Sequence, residues 1–82
     1  MRVVYAHKAA DQLVALPNVV QKRIALKMRF FAEQPDPLVF AERLTDHAEG
    51  DYRFRVGDYR IIFDVADGKI AVLKIGKRDS IY

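Results

Sequence analysis

Residues 52–75, "YRFRVGDYRIIFDVADGKIAVLKI", alternate apolar and polar side chains with a period of two, and two dipeptides interrupt the run. Gly57-Asp58 places glycine at the first central position of a two-residue turn, where a type II′ hairpin needs it, and Asp67-Gly68 is a second hairpin signal. The stretch reads as three antiparallel strands, Tyr52–Val56, Tyr59–Ala66 and Lys69–Ile75. Two-residue turns fix the pairing register, and register fixes which side chains share a face. Val56 is expected opposite Tyr59, Arg55 opposite Arg60 and Arg53 opposite Ile62. Across the second turn, Ile62 is expected opposite Leu73 and Arg60 opposite Ile75. One face then carries Tyr52, Phe54, Val56, Tyr59, Ile61, Phe63, Val65, Ile70 and Val72. The other carries Arg53, Arg55 and Arg60 beside Leu73 and Ile75.

Upstream, Arg2–Ala6 reads as a short strand, and Lys8–Leu16 has apolar residues at helical spacing. Pro17 stops that helix and opens a second, because proline is tolerated in a first helical turn. Val20, Ile24, Met28 and Phe31 form one stripe along a helix that runs to about Gln34. The prolines flanking Asp36 end it. Residues 37–51 lack periodicity and read as a loop, with a turn of helix around Phe40–Leu44. The expected fold is α+β, a single domain over 1–82. Two N-terminal helices cover the apolar face of a small, mostly antiparallel four-stranded sheet.

Composition narrows the function. The 82 residues contain no cysteine, so neither a disulfide nor a thiolate metal site contributes, and a reducing compartment suits the chain. A hydrophobic fraction of 51% supports a packed core rather than disorder. No long apolar run or signal-peptide pattern is present, so no membrane association is expected and the domain is expected to start with the chain. Net charge is +3, unevenly spread. Residues 1–51 hold seven cations and seven acids, whereas residues 52–82 hold seven cations and four acids. That asymmetry favours a polyanionic partner.

The strand arginines are the candidate site. Arg55 opposite Arg60 is a like-charge cross-strand pair, which destabilises a sheet by a few tenths of a kcal/mol or more. No acid is expected among the three arginines, and Asp64 lies two residues beyond Ile62. The closing "GKRDSIY" (76–82) brings Lys77 and Arg78 to the same end of the sheet, with Tyr82 on a short tether. Arginine forks suit phosphate, and a tyrosine ring can stack on a base. His7 and His47 lack metal-ligand spacing, Ser80 has no nearby His-Asp pair, and the four glycines form no phosphate-cradling loop.

The blocks "YRFRVGDYRIIF" and "GKRDSIY" resemble the RelE/ParE superfamily of type II toxins, and the likeness extends over the whole chain. The RelE branch of that resemblance implies a cytoplasmic toxin that cleaves mRNA in the ribosomal A site and is silenced by a cognate antitoxin protein. DNA would be contacted only indirectly, through the toxin–antitoxin complex. The implied reaction uses neither cofactor nor metal. By motif, Arg60, Arg78 and Tyr82 match the toxin's active-surface residues, and Arg53 and Arg55 fall where it has lysines. Arg60, Arg78, Tyr82 and Arg55 are thus the expected catalytic residues, and Arg53 and Arg55, with Lys77 at the same end of the sheet, the expected RNA-binding ones. Arginine stands at 53 and 55 where that toxin has lysines, and arginine is a poor general base. Lys77 and the terminal carboxylate are the alternatives for that role. The ParE branch implies instead a poison of DNA gyrase with no nuclease centre, and a third reading makes the basic face a docking surface for an acidic partner.

Overall fold

The computed structural model describes residues 1–80. Strand β1 (Arg2–Tyr5) leads into helices α1 (His7–Val14) and α2 (Asn18–Glu33). A short 3-10 helix (Pro37–Phe40) and strand β2 (Glu42–Arg43) follow, then the meander β3 (Tyr52–Val56), β4 (Tyr59–Ala66) and β5 (Lys69–Lys77). The sheet has five strands in the order β1-β5-β4-β3-β2, with β1 parallel to β5 and every other pair antiparallel. The α+β class and the two-helix layer agree with the sequence reading. The strand count does not, because β2 adds a fifth. The turn of helix expected around Phe40–Leu44 is instead the 3-10 helix ending at Phe40, capped by the Asp36 side chain, which accepts from the Leu38 amide.

Both turns take the backbone their residues suggest. Gly57 has φ +57°, with no left-handed φ at Asp58, as a type II′ turn requires. At Asp67 and Gly68 both φ values are positive, 53° and 70°, the pattern of a type I′ turn. Between β3 and β4 the register is the expected one, with Val56 opposite Tyr59, Arg55 opposite Arg60 and Arg53 opposite Ile62. Between β4 and β5 it holds only from Ala66 to Phe63. Phe63 faces Val72 but Ile62 faces Lys74, so Leu73 is an extra residue in a β-bulge. Beyond it every pairing moves by one: Ile61 faces Ile75, Arg60 faces Gly76, and Tyr59 faces Lys77. The expected Ile62–Leu73 and Arg60–Ile75 pairs are therefore absent.

The physical reason lies in β5 itself. Its core-facing residues are Ile70, Val72 and Ile75, and regular alternation would aim the Lys74 ammonium into the core opposite Ile61. Burying an unpaired ammonium costs far more than one irregular ladder step. The bulge returns Ile75 to the core, where it is 3% exposed, and sends Lys74 to the other face. Past the end of β1, the Ile75 amide donates to Gln12 Oε1 of α1 at 2.8 Å. The ladder is thereby continued by a side chain.

The core lies between the sheet and the helices. Ile24, Met28 and Phe31 of α2 and Ala9 of α1 pack onto Phe54, Val56, Ile61, Phe63, Ile70, Val72 and Ile75. Phe31 stacks on Phe54 (centroids 4.0 Å apart) and Phe54 on Phe63 (4.2 Å), an aromatic column joining α2, β3 and β4. Gln21 Nε2 donates to the carbonyls of Val14 and Leu16, which ties α2 to the C-terminal end of α1. Among the described residues no helix is long and apolar enough to cross a membrane.

The outer face of the sheet is partly covered by the loop after β2. The Leu44 amide donates to the Asp51 carbonyl, and the Asp51 amide donates to Asp64 Oδ1 at 2.7 Å. Gly50 presses onto that face with φ +156°. A Cβ there would lie 2.7 Å from Ile62 Cγ2 and 3.1 Å from Leu73 Cδ1. This loop explains why Ile62 is fully buried although it lies on the arginine side. Gly50→Ala is expected to lower the unfolding free energy by about 1–3 kcal/mol through overpacking, read as a lower denaturant midpoint.

Candidate nucleic-acid interface

Cross-strand pairing puts Arg53, Arg55 and Arg60 on the outer face of β3 and β4, as expected. They do not stand as a row of open cations. Glu42, opposite Arg53 across β2 and β3, bridges two of them: its Oε2 accepts from Arg53 Nη2 at 2.7 Å and its Oε1 accepts from Arg55 Nε. The expectation that no acid lies among the arginines is thus corrected. A two-residue strand has too little pattern to announce itself, and β2 falls where the sequence suggests a turn of helix within a loop. Glu42 responds electrostatically to its neighbours. The hydrogen bond from Arg53 is the main cause that holds its carboxyl below the ordinary glutamate value of 4.5; burial opposes it, and the hydrogen bond and charge of Arg55 add to the lowering.

Arg60 turns the other way. Its side chain is largely buried at 9% exposure, and Nη1 donates to the carbonyls of Gly57 (2.9 Å) and Tyr59 (3.0 Å). The guanidinium therefore closes the β3–β4 turn from the arginine side. Its charge and that of Arg55 part, one held by backbone carbonyls and the other by Glu42. The like-charge repulsion expected for that pair is relieved by these two local partners.

Arg78 comes to the same end of the sheet. Its backbone amide donates to the Asp58 carbonyl at 2.9 Å, which seats the segment after β5 on the Gly57-Asp58 turn. The Arg78 side chain is 62% exposed, with Nε 3.6 Å from Asp79 Oδ1. Lys77 is exposed at the same end, but the bulge sets it opposite Tyr59 and hence on the helix-side face. It reaches the arginines only around the margin of the sheet. Tyr82, the expected stacking residue, lies outside the described residues.

Three residues of structural weight escaped the sequence reading. Gln12 and Gly50 carry no local signal. Glu42 stands two residues after Phe40 in a segment without periodicity. An open cleft of about 280 Å³ beside it is bounded by Glu42, Arg43, Leu44, Thr45, Asp46 and Arg53. Its lining carries both signs of charge and selects no anion by itself. His47 bonds to Asp51 within the loop and His7 opens α1 beside Asp11, structural positions for both histidines.

The family model "ParE toxin of type II toxin-antitoxin system, parDE" matches residues 3–82, and the chain belongs to that family of the RelE/ParE superfamily. It is similar to a chain of the archaeal RelE–RelB complex from Pyrococcus horikoshii, at 30% identity over 96% of each chain with a TM-score of 0.74. The RelB–RelE antitoxin–toxin complex from Methanococcus jannaschii gives 25% identity over 96% of this chain and 94% of that one, with a TM-score of 0.74. The intact Escherichia coli RelBE complex matches at 19% identity, over 93% of this chain and 94% of that one, with a TM-score of 0.73, and shares the fold. No curated protein matches the sequence.

Two outcomes follow from this geometry. Arg60→Ala is expected to destabilise the fold by about 1–3 kcal/mol, since it removes the charge-assisted hydrogen bonds of a buried guanidinium to the turn carbonyls, whereas Arg78→Ala should change stability by less than about 0.5 kcal/mol. Urea denaturation of both variants tests the contrast. The depressed Glu42 carboxyl contributes stability that is present above 4.5, the ordinary value to which it returns on unfolding, and is lost as pH falls from there through the lower folded value. Glu42→Gln should therefore flatten the fall in melting temperature below that pH and leave the neutral range without a slope from this group.

Proposed function

We propose that this toxin is a ribosome-dependent mRNA endonuclease that inhibits translation by cleaving in the A site. The observation that carries the reading is the seating of Arg78 on the Gly57-Asp58 turn, beside the arginines of β3 and β4. Cations so held can stabilise the dianionic phosphorane that forms when a ribose 2′-oxygen attacks its own 3′ phosphorus. In that step the 2′-hydroxyl loses its proton as the O–P bond forms. The P–O5′ bond breaks and the leaving 5′-oxygen takes up a proton, giving a 2′,3′-cyclic phosphate and a 5′-hydroxyl. The reaction needs no oxidant, reductant or metal ion to balance.

Arg78 is the residue most able to reach a bound phosphate, being exposed. Arg55, 61% exposed, lies one residue from the same turn on the outer face of β3. Arg60 acts chiefly by fixing the turn that both lean on, and Arg53, at 16% exposure, supports Arg55 through their shared Glu42. Tyr82 is proposed to stack on a base, and Lys77 to meet the backbone at the margin. A surface of this kind supplies charge but no pocket to strain RNA into line. Dependence on the ribosome, which can present the strand already bent, fits that limitation.

A cognate antitoxin is the proposed protein partner, as in the RelE–RelB complexes that the chain resembles. The α2 face turned from the core offers it Val19, Leu26 and Phe30 at helical spacing, all exposed, among Lys22, Arg23 and Arg29. An acidic amphipathic segment matches that surface in both polarity and charge.

Primer extension on an mRNA undergoing translation tests the nuclease reading. Cuts at in-frame positions should appear only with ribosomes present, and Arg78→Ala should reduce them by about 100-fold, the usual scale for removing one transition-state cation, with the fold intact. A second reading, a gyrase poison without nuclease activity, draws on the match to the ParE family model. Intact mRNA together with inhibited DNA supercoiling would establish it instead.

A further inference from the structure

The outer face of the sheet has two unlike ends. From the end away from the Gly57-Asp58 turn as far as Arg55, the chain's own acids already sit on its cations. Glu42 gives one carboxylate oxygen to Arg53 and the other to Arg55. Glu49 Oε1 lies 3.5 Å from Lys74 Nζ. The loop between these acids is held down by the Asp51 amide bonding to Asp64 and by Gly50 packed on Ile62 and Leu73. At the turn end, the Arg78 side chain is mostly exposed. Arg55 stands at the boundary, exposed yet engaged by Glu42.

A carboxylate that bridges two guanidiniums occupies the same donors a phosphate would use, because the two anions make the same forked demand. We propose that Glu42 is a built-in competitor for phosphate: it withdraws Arg53 and part of Arg55 from polynucleotide binding and confines phosphate contacts to the Arg55–Arg78 end of the face. Glu42 thereby sets where a single strand lies and keeps a basic domain from adhering along its whole outer face. The depressed carboxyl of Glu42 means that the competitor stays ionised through the neutral and mildly acid range. The inference takes from the proposed function only that the ligand is a single-stranded polynucleotide. Whether that strand is cleaved is a separate matter.

The test is fluorescence anisotropy of a short 5′-labelled single-stranded RNA with the full chain, titrated at salt concentrations between about 50 and 200 mM. Glu42→Gln keeps the side-chain shape and removes the charge. Glu42→Ala also removes the amide that could still bond the arginines. Glu33→Gln on α2 makes the same change in net charge away from the face. Both Glu42 variants should bind about 5–10-fold more tightly than wild type at the low-salt end, with the slope of log affinity against log salt steeper by about 0.7–1.4, one or two added phosphate contacts. The Glu33 variant should shift by less than about 2-fold, the long-range share of one screened charge. Equal tightening by the Glu33 and Glu42 variants would overturn the inference, because net charge alone would then account for it. So would Glu42 variants that bind no better than wild type, or that show no binding at all. The nuclease reading fails or stands separately, on cleavage in the translation assay.

Discussion

Leu73 is one residue too many for a regular pairing of β4 with β5, and that surplus decides which side chains reach each face. The first half of the hairpin sets Phe63, Val65, Ile70 and Val72 against the helices. Without the bulge the second half would carry Lys74 into the core and Ile75 out among the arginines. With it, the core keeps Ile75, and Arg60 faces Gly76, which has no side chain. Tyr59 faces Lys77, so the next residue, Arg78, arrives at the β3–β4 turn and can bond to Asp58. Core composition, the crowding around Arg60 and the placing of Arg78 thus follow from a single irregularity in the ladder.

The electrostatics of the outer face depend on how each cation is held. A row of arginines on neighbouring strands would repel, yet here each has a local partner. Arg60 is turned onto the backbone carbonyls of its own turn, and Arg53 and Arg55 share Glu42. The face is therefore less positive than its count of arginines suggests, and its accessible charge is concentrated near the hairpin end. A compact patch of that kind suits the developing charge on one phosphate better than the continuous backbone of a long duplex.

Much of this was legible in the sequence, because two-residue turns leave little freedom. Gly57-Asp58 specified the β3–β4 register to the residue, and with it the common face of Arg53, Arg55 and Arg60. The apolar stripe of α2 and the strand-face alternation gave the core. The bulge was visible too, in the step from 70 and 72 to 75 with lysine at 74, but reading it means setting the burial of a charge above the regularity of the ladder. β2 was not legible. Two residues show no period, and Glu42 finds Arg53 and Arg55 only once the eight residues between β2 and β3 have folded back over the sheet. The neutralisation of the arginine face is a long-range contact of this kind, and so is the Gln12 bond to Ile75.

The central claim is that the arginine face meets RNA phosphate at its Gly57-Asp58 end. The most direct measurement is a two-dimensional amide NMR titration of the labelled protein with a short single-stranded RNA. The account predicts the largest shifts at Arg55, Gly57, Asp58, Arg60 and Arg78, with α2 unmoved. Shifts centred on Val19, Leu26 and Phe30 of α2, or spread evenly over every exposed lysine and arginine, would contradict it.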